Sequence, residues 1–149
     1  MVLIRVRIFE PADFAQLMSI EREAFNESNP LIYTQIYETC SNGFLVAEVE
    51  GVVVGYIVGI LVSEMEGKIF SFAVSQSYQC MGIGTQLLKS IFEVFKANEV
   101  YRVNLEVRMS NKNARSLYSK LGFDVIGRIP MYYSDGEDAI IMKRVLTKL

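Results

Sequence analysis

The chain has 149 residues, which is one ordinary domain and enough to bury a core without disulfide or metal staples. It is 51% hydrophobic and 21% charged, so it belongs among globular rather than disordered chains; its net charge of -2 argues against a nucleic-acid module working by bulk positive charge. It contains no histidine, so any catalysis must use carboxylate, phenol, amine or backbone chemistry, without a Ser-His-Asp or Cys-His nucleophile or a His-based zinc site.

The N-terminus, Met1 to Arg7, reads as an alternating strand rather than a secretory leader, with Val2, Ile4, Val6 and Ile8 on one side. Pro11 and Asp13 open a helix whose apolar face is Phe14, Leu17, Met18 and Phe25. The Asn26–Pro30 segment breaks it, and Leu31 to Cys40 reads as a second short helix. Phe44 to Val49, a turn at Glu50-Gly51, and Val52 to Val62 read as a hairpin whose second arm is apolar on both faces, as a central strand is. That run is too short to span a bilayer and contains Gly55 and Gly59, so the expected location is the cytoplasm, with no membrane partner.

Lys68 to Val74 is the next strand, and Thr85 to Asn98 is the clearest helix, with Leu87, Leu88, Ile91, Val94 and Phe95 on one face. Val103 to Val107 is a strand, Asn113 to Leu121 a helix stopped by Gly122, and Phe123 to Ile126 and Ala139 to Val145 the last two strands. The order β-α-α-β-β-β-α-β-α-β-β implies a mixed sheet with helices on both faces, in the α/β to α+β range, as a single domain over 1–149.

The loop from Val74 to Gly84 joins a strand to the best helix through Gln79-Cys80-Met81-Gly82-Ile83-Gly84. Glycines at a helix start expose unpaired N–H groups at the positive end of the helix dipole, which suits a phosphate. There is no Gly-Lys-Ser/Thr of a P-loop, and Leu87 stands where a dinucleotide fingerprint has its third glycine. A tight turn that simply needs glycine is the alternative. The full pattern, Gln-x-x-Gly-x-Gly between a strand and an amphipathic helix, resembles the Gcn5-related N-acetyltransferases. In that family this loop holds the pyrophosphate of acetyl-CoA, and the fold is a mixed sheet of about seven strands with about four helices. Relatives commonly carry Arg or Lys where Cys80 or Met81 stands, so here the anion relies on backbone donors or a cation from elsewhere.

A second series sharpens the resemblance. Leu105-Glu106-Val107-Arg108 is followed by Ser110-Asn111, then Asn113-Ala114-Arg115-Ser116-Leu117-Tyr118, then Tyr132-Tyr133 and Asp135-Gly136-Glu137-Asp138-Ala139. This order resembles the RimI-type and related N-terminal protein α-acetyltransferases. The resemblance implies acetyl-CoA as co-substrate and no metal. It also implies a protein N-terminus as acceptor, a ribosomal protein among the candidates, and no nucleic acid. The alternatives are acetylation of a small amine or an internal lysine, and a non-catalytic acyl-CoA-binding module.

An α-amino group has a pKa of about 8 and a lysine about 10.4, so near pH 7 a modest base suffices only for the former. Strand alternation puts Glu106 with Asn104 and Arg108, opposite Val103, Leu105 and Val107. It is either a solvated residue paired to Arg108 or, as the resemblance implies, the base, through a bridging water or a raised pKa. Tyr118 either extends the apolar face of its helix or, as in the family, acts as general acid toward the departing thiolate. Asn111, Asn113 and Ser116 read as capping residues, and the resemblance adds contact with the cofactor. It also makes the backbone N–H groups of Phe72, Ala73 and Val74 an oxyanion-type site for the pantetheine and thioester. Tyr132 and Tyr133 are core residues or, as in the relatives, line the acceptor site, whose opposite wall is the loop from Phe25 to Tyr33. Glu27 in that loop either attracts an amino terminus or faces water. Cys80 sits at the diphosphate loop rather than beside the thioester, so transfer is expected to be direct. Two free thiols, Cys40 and Cys80, are the expected state, a disulfide between them the alternative.

Overall fold

Apolar alternation and glycine punctuation decide where the chain pairs and where it turns. The structure, a computed structural model, describes residues 3–26 and 29–146. In chain order the elements are β1 (Ile4–Ile8), α1 (Phe14–Phe25), α2 (Pro30–Cys40), β2 (Phe44–Val49), β3 (Val52–Leu61) and β4 (Glu66–Val74). There follow α3 (Ile83–Ala97), β5 (Arg102–Arg108), α4 (Lys112–Lys120), β6 (Asp124–Ile129) and β7 (Ala139–Val145). The strands form one seven-stranded sheet in the order β1-β2-β3-β4-β5-β7-β6. Neighbours are antiparallel except β4 and β5, which run parallel around α3. This is the mixed sheet that the element order predicts.

Two apolar layers flank it. On one face Leu87, Leu88 and Ile91 of α3 are fully buried against Ile57, Leu105 and Met142, with Leu117 and Tyr118 of α4 joining them. Each such side chain contributes about 1.5–3 kcal/mol by leaving water. On the other face Leu17, Met18 and Ile20 of α1 and Tyr33 of α2 pack on Phe44, Val46, Tyr56 and Val58. No helix among the described residues is long and apolar enough to cross a membrane.

Several element ends differ from the sequence reading, each for a local reason. The third helix begins at Ile83, not Thr85, because Gly82 takes a left-handed conformation (φ 83°) and serves as its N-cap. The strand expected to stop at Ile126 runs on to Ile129, because the register shift before Gly127 is a bulge rather than an end. Ile8 is 47% exposed and Phe9 is buried instead, so the alternation of the first strand breaks at its last residue. Phe25, expected on the buried face of α1, is 38% exposed where the chain turns through left-handed Asn26.

One irregularity positions everything that follows. Val58 pairs with Ser71 and Gly59 with Ile69, so Phe70 is an extra residue bulged out of β4. A bulge bends its strand and ends regular pairing on that edge. The β4–β5 ladder accordingly covers only Glu66 with Arg102, Gly67 with Val103 and Lys68 with Asn104, although both strands continue beyond it. The result is an open gap between β4 and β5 in the middle of the sheet.

Candidate active site

The loop that enters α3 borders this gap. A short turn at Gln76–Tyr78 follows β4, and the Gln79 side-chain amide donates to the Val74 carbonyl at 3.2 Å, folding the loop onto the strand end. The Gln76 amide is tied to α1 by the Glu23 carboxylate at 2.5 Å. Cys80 and Gly82 both take positive φ, 65° and 83°. The amides of Cys80, Met81 and Gly82 donate to no acceptor among the described residues, and they stand at the positive end of a 15-residue helix. That donor set fits a phosphate. A Cβ on Gly84 would come within 3.1 Å of Phe72 and 3.2 Å of Leu117, so this glycine lets α3 seat against β4 and α4 beside the gap. The Ile83 side chain is buried, leaving only its backbone for a ligand. Cys80 is a free, exposed thiol on this loop, and Cys40, at the end of α2, is also free and exposed.

Tyr118 approaches from the α3–α4 side. Its ring lies 6.0 Å from Phe72 and 5.6 Å from Phe123, and the residue is 6% exposed. Its hydroxyl makes no hydrogen bond within the described residues, yet it is not a sealed, orphaned polar atom, so its oxygen keeps solvent access. Burial pushes its phenol well above the ordinary range, and nearby Tyr133 and Tyr56 add to the shift. A phenol on a buried ring, kept protonated by its surroundings and not engaged by the described residues, can donate a proton. Asn111 caps α4, accepting from the Ala114 amide at 3.2 Å; Asn113 and Ser116 are exposed on its first turns.

Glu106 approaches from the opposite face, as the alternation in β5 predicts: Val103, Leu105 and Val107 are buried toward α3. Of the two sequence readings, pairing with Arg108 does not occur. Glu106 Oε1 instead accepts from Lys68 Nζ at 2.7 Å and from the Tyr132 hydroxyl at 2.9 Å. Arg108 reaches Asp135 at 2.9 Å and Glu137 at 3.0 Å, and its guanidinium lies 4.1 Å from the centre of the Tyr133 ring. Asp138 holds the same loop from its other side, accepting from the Met131 amide at 2.9 Å and from Arg128. The acidic run after the tyrosine pair therefore fixes those rings, which pack edge to face at 5.0 Å. Burial pushes the Tyr133 phenol up to about 12 against the opposing pull of Arg108, while the bond to Glu106 raises that of Tyr132.

Across the gap, Phe25 is partly exposed, but Tyr33 is only 2% exposed. The Tyr33 hydroxyl donates to the buried Glu21 carboxylate and lies 3.0 Å from Ser71 Oγ, which is itself 2.9 Å from the Tyr56 hydroxyl. Glu21 also accepts from the Asn29 amide at 3.0 Å. Tyr33 thus braces this wall from behind instead of surfacing on it. Glu27 lies outside the described residues.

The comparisons with known proteins agree with this geometry. Residues 13–123 match the model of the acetyltransferase (GNAT) family. The chain belongs to that family. As a member it is an acetyl-CoA-dependent N-acetyltransferase. It is 38% identical to an N-alpha-acetyltransferase of Sulfurisphaera tokodaii, over 93% of this chain and 90% of the relative. Its fold matches Ard1 from Thermoplasma volcanium with a TM-score of 0.94 at 31% identity, covering 97% of this chain and 99% of that one. The ribosomal-protein-S18-alanine N-acetyltransferase of Escherichia coli matches with a TM-score of 0.83 at 26% identity, over 99% and 96% of the two chains.

Within this acetyltransferase, sequence reasoning missed Lys68 and Glu21. Lys68 is 38 residues from Glu106 and meets it only because β4 and β5 are neighbours, so no local pattern marks it. Glu21 did leave a signal: a carboxylate at helical spacing from Leu17 and Met18, on the face otherwise given to the core.

Proposed function

We propose that this acetyltransferase modifies the N-terminal α-amino group of proteins, by direct transfer from acetyl-CoA in a ternary complex. Acetyl-CoA supplies an activated acetyl thioester. In this reading the Cys80–Gly84 amides hold its pyrophosphate, Glu106 takes a proton from the acceptor amine, directly or through water, and Tyr118 gives one to the departing thiolate. The open edge of β4 offers the backbone amides of Phe72 and Val74 to the thioester side of the gap, whereas the Ala73 amide, expected to join them, faces β3 opposite Tyr56. Tyr132, Tyr133 and Phe25 line the acceptor. A ribosomal protein is one candidate acceptor, on the likeness to the S18-alanine enzyme.

The observation that carries the reading is the two-sided gap: a carboxylate from one face and a phenol from the other. Each presents an oxygen with no hydrogen-bond partner among the described residues, Oε2 of Glu106 and the hydroxyl of Tyr118. Incubating the protein and acetyl-CoA with peptides whose N-termini are free or blocked, and reading the masses, tests it. Free N-termini should gain one acetyl group and blocked, lysine-containing peptides none. Lysine acetylation on blocked peptides would point to side-chain amines. A raised melting temperature with acetyl-CoA but no product would point to a binding module.

Arg108 gives a second check. Its side chain clamps the tyrosine loop through Asp135, Glu137 and the face of the Tyr133 ring. Arg108→Ala is expected to raise KM for the acceptor peptide several-fold, while KM for acetyl-CoA changes less than about twofold, because loosening a positioning loop costs mainly orientation. Steady-state kinetics with each substrate varied in turn measures both.

A further inference from the structure

We propose that Lys68 is a positioning residue for the acetyl transfer, one that holds the Glu106 carboxylate in a fixed orientation toward the acceptor amine. The proposal rests on the reading of Glu106 as the base.

Lys68 occupies the last position of β4 that pairs with β5, two residues before the Phe70 bulge and opposite Asn104, which lies two residues from Glu106 on the same face of β5. Directly beyond it the strands part. Its ammonium therefore stands at the closed end of the gap, and it donates to Glu106 Oε1 at 2.7 Å. The Tyr132 hydroxyl donates to that same oxygen at 2.9 Å, from the loop between β6 and β7. Oε2 accepts from nothing among the described residues. A carboxylate on a flexible side chain turns readily about its last torsion, which is broad and roughly two-fold. Two donors from two different elements on one oxygen stop that rotation and leave the other without a donor among the described residues.

The pair does little for folding. The side chains are 27% and 15% exposed, and ion pairs that solvent reaches contribute little to stability. The β4–β5 register at this point is already set by backbone pairing. What the contact does fix is the direction of a carboxylate oxygen, and misplacing a reacting group by about an ångström costs up to about a hundredfold in rate. Lys68 also links the base to the acceptor side, because its partner on Oε1 is one of the two tyrosines proposed to line that site.

The test is a double-mutant cycle on the full chain, with K68M, K68R, E106Q and K68M/E106Q compared by kcat, by KM for acetyl-CoA and by melting temperature. K68M should lower kcat about tenfold, leaving KM for acetyl-CoA and the melting temperature unchanged. K68R, which keeps the charge and the donors, should recover most of the loss. In the E106Q background K68M should cost less than about twofold, since Lys68 acts through the carboxylate. An equal loss in both backgrounds overturns the proposal, as does K68M with wild-type kcat or a loss that appears only in KM for acetyl-CoA. E106Q by itself reports on the base: full activity there removes that reading and this one together. An impaired E106Q with no background dependence of K68M removes only the positioning role.

Discussion

Tyr118→Phe is expected to lower kcat by about a hundredfold or more while the fold and the affinity for acetyl-CoA stay as they are, the scale of a lost general acid. The substitution keeps the ring and its packing on Phe72 and Phe123. The hydroxyl it removes has no hydrogen-bond partner among the described residues, so no buried group there is left unsatisfied and the melting temperature should not move. A phenol with its ordinary pKa of about 10 is a slightly weaker acid than a thiol of about 8.5, and burial weakens Tyr118 further. The same burial would raise the proton affinity of a thiolate beside it, so donor and acceptor move together and the transfer stays matched. The sign of the shift gives a second expectation. Because burial disfavours the phenolate, Tyr118 remains the acid form past pH 10, and activity should show no decline from its ionisation below that. Stopped assays of kcat across pH, with thermal melts of both proteins, check each point. A Tyr118→Phe enzyme with wild-type kcat would return this residue to the role of a core aromatic.

The strand-to-helix turn into α3 was legible because its signal is local: glycines between a strand and an amphipathic helix mark a tight turn, and Gly82 does adopt the left-handed conformation a non-glycine avoids. The side to which Glu106 points was legible for the same reason, since alternation in β5 depends only on neighbours in the chain. The partners of Glu106 were not. Sequence offered Arg108, two residues away on the same face, but two longer-range events decide the matter. Asp135 and Glu137 capture Arg108 from the loop after β6, and the parallel pairing of β4 with β5 delivers Lys68. The gap itself depends on the bulge at Phe70, which no glycine or proline in β4 marks at that position; Gly59 stands at the shift on β3, but only the pairing connects the two. Tyr33 shows a different limit. The resemblance implies a place for it on the acceptor wall, but packing buries it, with Glu21 and Ser71 holding its hydroxyl inside.

Glu106→Gln should cost about a hundredfold in kcat at pH 7, and the deficit should shrink as pH rises. The amide has the shape of the carboxylate, and its carbonyl oxygen can still accept from Lys68 and Tyr132, so the site keeps its architecture. What faces the acceptor is then an N–H donor in place of a lone pair, and no group takes the proton from the amine. The expected loss lies at the lower end of general-base effects because the substrate does part of the work: about a tenth of an α-amine of pKa about 8 is already free at pH 7. At pH 9 about nine tenths is free, so the variant should gain nearly tenfold over that interval. The wild-type enzyme, which removes the proton in the bound complex, should gain much less. The ratio of the two rates as a function of pH thus reports the proton step itself, separately from any damage to binding. A deficit constant from pH 7 to 9 would mean that Glu106 orients the acceptor without deprotonating it. With a lysine side chain as acceptor, the same recovery would be displaced to about two units higher pH, so this one profile tests both the role of the carboxylate and the class of amine it serves.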